Sequence, residues 1–215
     1  MLDQAVQKTL RLLDDHYLAF VTAKHYADET GHTVPCDTKS WSQILVSVLT
    51  GLGGRARKKG SDLDDGSDVK AANTWSAIDT PRFNGAIPSG RTTEASRKPP
   101  DVSALNDTPY IFFVLWDEMG GEKLPRCRIW VVRPQHDPEF RRICSTWYTQ
   151  RSQGIIRSDN FQLHPPRNQD HDVIRNSCGN LIYPLFLCAV RQTERFELVT
   201  YNPDVLQNGM CRPAD

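Results

Sequence analysis

One segment of the chain concentrates the residue types that carry out acid–base and metal chemistry. Residues 53–73 read GGRARKKGSDLDDGSDVKAAN, with four basic residues followed by four aspartates within seven positions. Asp68 and Lys70 lie on a segment predicted to form a strand. The two-residue period of a strand then places the carboxylate and the ammonium on one face and turns Val69 towards the core. The segment therefore predicts an acid and an amine that act together.

A turn before this strand is expected to bring a second carboxylate beside Asp68. Asp65-Gly66 is a strong hairpin signal, and such a turn would place a strand that holds Asp62 next to the strand that holds Asp68. Two neighbouring carboxylates repel each other unless a cation lies between them, and oxygen ligands with free water positions suit Mg²⁺. Asp64 and Asp65 compete with Asp62 for the role of the first acid.

The order of elements around these residues resembles the PD-(D/E)xK nuclease superfamily. A helix is followed by a basic stretch, an aspartate, a short turn and Asp-x-Lys on a strand, and central apolar strands come next. The resemblance implies that Asp62 is the first acid, Asp68 the second acid and Lys70 the lysine of the motif. Ser61 stands where the family name has proline. We further expect the backbone carbonyl of Val69 to join the two carboxylates as a Mg²⁺ ligand.

The size of the chain is similar to that of type II restriction endonucleases. That resemblance implies Mg²⁺-dependent hydrolysis of phosphodiester bonds in double-stranded DNA at a specific, palindromic site, by a homodimer. Lys70 would orient or deprotonate the attacking water. Two other functions stay open at this point: a non-catalytic DNA-binding or interaction protein whose acidic hairpin is structural, and a related nuclease of repair or RNA processing.

Residue types that contact phosphates or base edges occur around the motif and in a later polar stretch. Asn160, Gln162 and His164 alternate with Phe161 and Leu163, as in an edge strand that presents three hydrogen-bonding side chains; a half-buried surface strand has the same pattern. The expected DNA-binding residues are Arg55, Arg57, Lys58, Lys59, Asn73, Arg82, Asn84, Arg91, Asn160, Gln162, His164 and Arg167.

A second basic region is a further candidate for contact with the DNA backbone. Seven arginines occur from Arg126 to Arg157, against the two acids Asp137 and Glu139. We expect this excess of positive charge to form a surface patch.

The order of the elements predicted by hydrophobic periodicity indicates an α/β or α+β domain around a mixed β-sheet. The resemblance implies the α/β class, with a mixed β-sheet flanked by helices as in a PD-(D/E)xK endonuclease-like core. The chain is expected to form one domain over residues 1–215, with N-terminal helices within 2–53, a catalytic hairpin and sheet core within 60–201, and DNA-facing loops at 84–109 and 158–180. Strands are predicted at 67–73, 110–116, 127–133, 184–190 and 196–201, and a further helix follows Asp137-Pro138.

Composition excludes several classes of protein. Lys+Arg 26 against Asp+Glu 26 gives a net charge of zero, which argues against a polybasic tail and an acidic disordered chain. No window approaches the roughly 18 apolar residues that a membrane span needs, and the N-terminal pattern does not fit a signal peptide, so a cytoplasmic location is expected. The six cysteines form no CxxC pair and are expected to be buried free thiols.

Overall fold

The computed structural model describes residues 3–35, 37–55, 60–77, 79–89 and 101–214. Two helices come first in the chain, and strands and a third long helix follow them. The helices are α1 (Gln4–Thr30), α2 (Lys39–Thr50), α3 (Pro138–Ser152) and α4 (Val205–Asn208), with a 3-10 helix at Val102–Asp107. The strands are β1 (Asp68–Asn73), β2 (Phe83–Asn84), β3 (Ile111–Met119), β4 (Leu124–Val132), β5 (Gln162–Leu163), β6 (Val173–Asn176), β7 (Gly179–Ile182), β8 (Leu185–Arg191), β9 (Phe196–Tyr201) and β10 (Arg212–Pro213).

A mixed five-stranded sheet forms the centre of the fold. Its strand order is β1-β3-β4-β8-β9; β1 pairs with β3 in parallel, and the other neighbours are antiparallel. The pairing of Lys70 with Phe113 and of Asn73 with Trp116 sets the register of the first two strands. Because β1 is an edge strand, one side of its backbone is free to face a ligand.

Two hydrophobic cores lie on opposite faces of this sheet. Helices α1 and α2 cover one face, where Val69, Phe112 and Trp116 are buried. Helix α3 and the small sheets β10-β7-β6 and β2-β5 cover the other face, where Phe113 and Trp147 are buried. The apolar run of β3 is thus buried on both sides, which explains why its sequence does not alternate.

The predicted long elements are confirmed, with shifted ends. Helix α2 ends before Gly51, which is in the left-handed conformation (φ 76°), within the bound of residue 53 that was expected for the N-terminal helices. Asp137 caps α3 by accepting a hydrogen bond from the backbone N–H of Phe140 (2.9 Å). The stretch 158–180, expected to be a DNA-facing loop, contains β5, β6 and the start of β7. β5 pairs with the distant β2, and β6 forms a hairpin with β7.

The described cysteines are free thiols. Cys127, Cys144, Cys188 and Cys211 are buried, and Cys178 is half-buried. Cys36 lies outside the described residues. No helix within the described ranges combines the length and the apolar content that a membrane span requires.

Candidate active site

Asp68 and Lys70 of the motif carry opposite charges and form an ion pair on β1. Lys70 Nζ lies 2.5 Å from Asp68 Oδ2, and each side chain is only 20% exposed. Both residues lie on the face that carries Phe113, the register partner of Lys70, while Val69 is buried against α1 and α2. The alternation predicted for Asp68-Val69-Lys70 is therefore what the strand shows.

Asp62 joins this pair from a bend before the strand. Its Oδ2 accepts a hydrogen bond from the backbone N–H of Val69 (3.0 Å), and its Oδ1 accepts one from Gln43 Nε2 (2.6 Å). Asp62 also shares a hydrogen bond with the Asp68 carboxyl. The structure therefore brings Asp62, Asp68 and Lys70 together. Gln43 lies on α2, and no motif in the sequence marks it.

The expected hairpin is wrong in its pairing. The segment that holds Asp62 pairs with residues 53–55 instead of with β1: the N–H of Arg55 donates to the carbonyl of Asp62 (2.8 Å), and the N–H of Asp64 donates to the carbonyl of Gly53 (2.9 Å). The turn itself exists, with the N–H of Gly66 bonded to the carbonyl of Leu63 (3.1 Å). Gly66 has φ +98°, a conformation that glycine adopts without strain.

The geometry of this turn separates the three candidate first acids. Asp64 is exposed and pairs with Arg55, Nε to Oδ1 at 3.6 Å. Asp65 closes the turn, because its carboxylate accepts hydrogen bonds from the N–H (2.9 Å) and the Oγ (2.8 Å) of Ser67. Asp62 is the member of the three whose carboxylate touches Asp68.

The protonation of Asp68 reflects its neighbours. Burial and a hydrogen bond to Asp62 raise its pKa to about 6, against the opposing effect of Lys70. The Asp68 carboxyl thus holds its proton more tightly than an isolated aspartate does.

The oxygen donors around Asp62 and Asp68 suit a divalent metal ion that keeps part of its water shell. Within the described ranges, no group of three or more His, Cys, Asp or Glu side chains is placed to hold a metal. Mg²⁺ needs fewer protein ligands, since it usually binds one or two carboxylates and keeps several waters. Val69 supplies an oxygen as well: its N–H points to Asp62 and away from β3, and its carbonyl lies on that same free side of the strand. The residues present therefore fit Mg²⁺.

A cleft of about 690 Å³ runs along the free edge of β1. Val69 lines it although its side chain is buried, so the backbone of the edge strand faces the cleft. Asn73, Arg82 and Asn84 line the same cleft as Lys70. The structure thus brings three of the expected DNA-binding residues to the motif lysine.

The later group of polar residues lies in a neighbouring pocket of about 260 Å³, which Asn160, Gln162 and His164 line together. The two sites are connected, because Asn84 of β2 pairs with Gln162 of β5. Burial lowers the pKa of His164, and the nearby positive charges of Arg175 and Arg82 lower it further. The alternation of residues 160–164 is that of a half-buried strand, with Phe161 and Leu163 in the core.

The remaining residues that were expected to bind DNA lie in different surroundings. Arg55 uses its guanidinium within the turn, where it donates to Ser61 Oγ (3.3 Å) and to the carbonyl of Asp64 (2.5 Å). Arg167 is exposed in the loop between β5 and β6. Arg57, Lys58, Lys59 and Arg91 lie outside the described residues.

The expected arginine patch between 126 and 157 is wrong for its first members. Arg126 and Arg128 are 3% and 2% exposed and bind the buried carboxylate of Asp117 at 2.9 and 2.6 Å. Arg141 donates to the carbonyl of Pro134 (2.9 Å). The excess of arginines in this part of the sequence does not make these residues a surface patch, because acids and carbonyls from other parts of the chain bind them.

A family model described as MamI restriction endonuclease matches residues 25–199. The chain is similar to a protein named Type II restriction enzyme MamI from Microbacterium ammoniaphilum, with 34% identity over 182 residues. That alignment covers 79% of this chain and 58% of the relative, so the chain spans little more than half the length of the relative it matches. No solved structure gives a significant match.

Proposed function

The chain belongs to the MamI restriction endonuclease family, and from this premise we propose that it is a Mg²⁺-dependent endonuclease that cuts double-stranded DNA at a specific site. The observation that carries the proposal is the convergence of Asp62, Asp68 and Lys70 beside the cleft along β1. This set of two acids and a lysine supports assignment to the PD-(D/E)xK type.

The chemistry is divided among the residues of the site. Asp62, Asp68 and the carbonyl of Val69 would hold the metal, with Gln43 and the N–H of Val69 fixing the Asp62 carboxylate. When bound, Mg²⁺ lowers the pKa of a coordinated water and stabilises charge on the phosphoryl oxygen. Lys70 lies close enough to Asp68 to orient the attacking water or to take up its proton.

The duplex would lie along the cleft and across the β2-β5 pair. Asn73, Arg82 and Asn84 are then placed to meet phosphates and base edges, since Arg reads guanine and Asn reads adenine in the major groove. The positive cluster of Arg82 and Arg175 around His164 supports this path for an anionic backbone. We also propose that a homodimer matches a two-fold symmetric site, because a symmetric dimer presents the same surface to both half-sites.

Plasmid cleavage tests the function directly. The 215-residue chain should produce discrete fragments in Mg²⁺ and none in EDTA, and mapping of the ends gives the site. Lys70→Ala should abolish cleavage while specific binding to the mapped site, measured in Ca²⁺, is kept. Lys24→Ala serves as the matched control, since Lys24 pairs with Asp28 on the exposed surface of α1.

The outcomes separate the alternatives. Cleavage by Lys70→Ala at the wild-type rate would contradict the assigned role of the lysine. Binding without cleavage by the wild-type chain would favour a non-catalytic DNA-binding protein. Smears or nicks in place of discrete fragments would favour a repair-type nuclease.

A further inference from the structure

We infer that the loop between β5 and β6, residues 165–172, reads bases of the DNA, and that a buried cluster of Asp117, Arg126 and Arg128 holds it in the required conformation. We call these residues the reading loop and the anchor cluster. The inference rests on the proposed function and adds to it the specificity-determining element.

The anchor cluster binds the backbone of the reading loop at several points. Arg126 Nη2 donates to the carbonyl of Gln169 (2.9 Å), and Arg126 Nη1 pairs with the Asp170 carboxylate (2.9 Å). Arg128 donates to the carbonyls of Pro166 and His171, both at 2.9 Å. Two arginines thus fix a loop that has no regular secondary structure of its own.

Asp117 fixes the two arginines in turn. Its carboxylate is fully buried and accepts from Arg126 Nε and Nη2 (both 2.9 Å) and from Arg128 Nη2 (2.6 Å). The backbone carbonyl of Asp117 also accepts from Trp75 Nε1 (2.6 Å), two residues after the end of β1. One buried residue therefore connects the reading loop with the strand that carries the motif.

Stability alone is a weak reason for such an arrangement. Apolar side chains of similar volume are often as stable as a buried ion pair or more so, because burial of charges costs solvation energy. Buried charges instead favour a single arrangement of the groups around them, because a donor or acceptor that lacks a partner is costly in the interior. An arrangement of this kind is suited to holding a loop in one conformation.

The side chains that this arrangement leaves exposed are of the types that read bases. Arg167, Asn168, Gln169 and His171 are exposed, and Asn168 has the left-handed φ of +49° at the tip of the loop. Arg pairs with guanine, and Asn and Gln pair with adenine, in bidentate geometry. A fixed backbone lowers the ordering cost of such contacts.

The anchor cluster lies beside the end of β1 that is opposite to Asp68. Asp117 follows Trp116, the register partner of Asn73, and shares the sheet face of Lys70 and Phe113. Asp68 lies five residues before Asn73, about 16 Å along the strand, which corresponds to about five base pairs of duplex. A duplex that lies along β1 therefore spans the distance from Asp68 to the strand end beside Asp117 within about five base pairs.

The experiment measures specificity instead of rate. Binding is measured in Ca²⁺ on a short duplex that contains the cut site mapped for the wild-type chain and on a duplex of scrambled sequence. Arg167→Ala and Gln169→Ala should each lower the affinity for the mapped site by roughly tenfold or more and leave the scrambled duplex nearly unchanged. Arg126→Lys keeps the positive charge but loses the several hydrogen bonds of the guanidinium. It should lower the ratio of the affinity for the mapped site to the affinity for the scrambled duplex, while Ca²⁺ binding without DNA is retained.

Matched controls come from the turn between β8 and β9, at the opposite edge of the sheet. Arg195→Ala and Gln192→Ala remove the same side-chain types from exposed positions, and the ratio should not change. Equal loss on both duplexes, or an unchanged ratio in Arg167→Ala and Gln169→Ala, would overturn the inference while the endonuclease function stands. A wild-type chain that neither cuts nor discriminates would overturn the proposed function itself.

Discussion

One cluster of acidic and basic side chains is centred on Asp68 of β1 and another on Asp117 of β3, and the two differ in how far the fold compensates their charge. Asp117 is fully buried, and its carboxylate accepts three hydrogen bonds from Arg126 and Arg128. Asp68 is partly exposed, pairs with Lys70 and touches a second carboxylate, which together with burial raises its pKa to about 6. Acids of the protein pair with both arginines of the first cluster, although Arg128 Nε has no hydrogen-bond partner among the described residues. The second cluster has an excess of acid that a cation would balance.

This difference separates a positioning role from a chemical role. Removal of a member of a fully compensated buried cluster leaves charges without partners, so the main loss is stability. Removal of one of two carboxylates in contact relieves repulsion, so the main loss is ligand binding. Substitutions in the buried cluster should therefore mainly reduce stability, whereas substitutions in the partly exposed cluster should mainly reduce metal binding and cleavage.

The largest expected effect is on stability, in the buried cluster. Asp117→Ala leaves Arg126 and Arg128 buried without their shared carboxylate and should cost about 3–5 kcal/mol of unfolding free energy, measured by urea denaturation. Asp28→Ala is the control: it removes an exposed ion pair with Lys24 and should cost under about 1 kcal/mol. If Asp117→Ala lowers the unfolding free energy no more than Asp28→Ala does, the buried cluster does not have the stabilising role that distinguishes it from the partly exposed cluster.

The next effect concerns activity, in the partly exposed cluster. Asp68→Ala should leave stability unchanged or raise it, because repulsion from Asp62 and the burial of a carboxylate are both removed. Cleavage should fall by on the order of a thousandfold or more, since a metal ion contributes several kcal/mol to the transition state. Near wild-type cleavage by this variant would rule out Asp68 as a ligand, and a loss of Ca²⁺ binding is expected alongside the loss of activity.

The raised pKa of Asp68 predicts a pH effect on the metal-free protein. The folded state holds the proton more tightly than the unfolded state, so the stabilisation is complete below about pH 4 and is lost as pH rises towards 6, by about 3 kcal/mol. His16 has the opposite sign: burial lowers its pKa to about 4, so its stabilisation is complete above pH 6.5 and is lost as pH falls.

The two groups nearly cancel between pH 4 and 6, and a substitution should separate them. In EDTA, Asp68→Asn should make the unfolding free energy rise more steeply with pH over this range than in the wild-type chain, because the contribution of His16 is then unopposed. Denaturant titrations at several pH values measure this slope. A slope identical to that of the wild-type chain would contradict the coupling of Asp68 to its surroundings.

The smallest effects are expected in the acidic turn, which borders the active cluster. Asp65→Ala removes two hydrogen bonds to Ser67 and should cost about 1 kcal/mol of stability. Asp64→Ala removes an exposed pair and should change little. Neither should abolish cleavage, whereas Asp62→Ala should. If Asp64→Ala is inactive and Asp62→Ala active, the choice of first acid is wrong and the nuclease function stands.

Local patterns in the sequence predicted the elements that carry the site. The apolar run of β3 predicted a central strand, and Asp137-Pro138 predicted the start of α3. The alternation in Asp68-Val69-Lys70 predicted which side chains share a face. These predictions succeed because the periods of 2 and 3.6 residues and the N-cap follow from backbone geometry within a few positions of the chain.

The short strands were harder to predict for a physical reason. β2 and β5 have two residues each and form because Phe83 and Leu163 pair across a long sequence separation. Nothing in two residues distinguishes a strand from a loop until the partner is known. The same holds for the pairing of the segment around Asp62, where residues 53–55 took the place that the hairpin signal assigned to β1.

The sequence by itself determined the presence of the acid-rich motif, the strand that carries Asp68 and Lys70, and the mixed α/β class. Only the tertiary structure decided that Asp62 meets Asp68, with Gln43 of α2 holding it, and that Arg126 and Arg128 turn inward to Asp117. Charge counts and turn signals are properties of neighbours along the chain. Compensation of a buried charge depends on which distant donors and acceptors the packed fold brings within hydrogen-bonding distance.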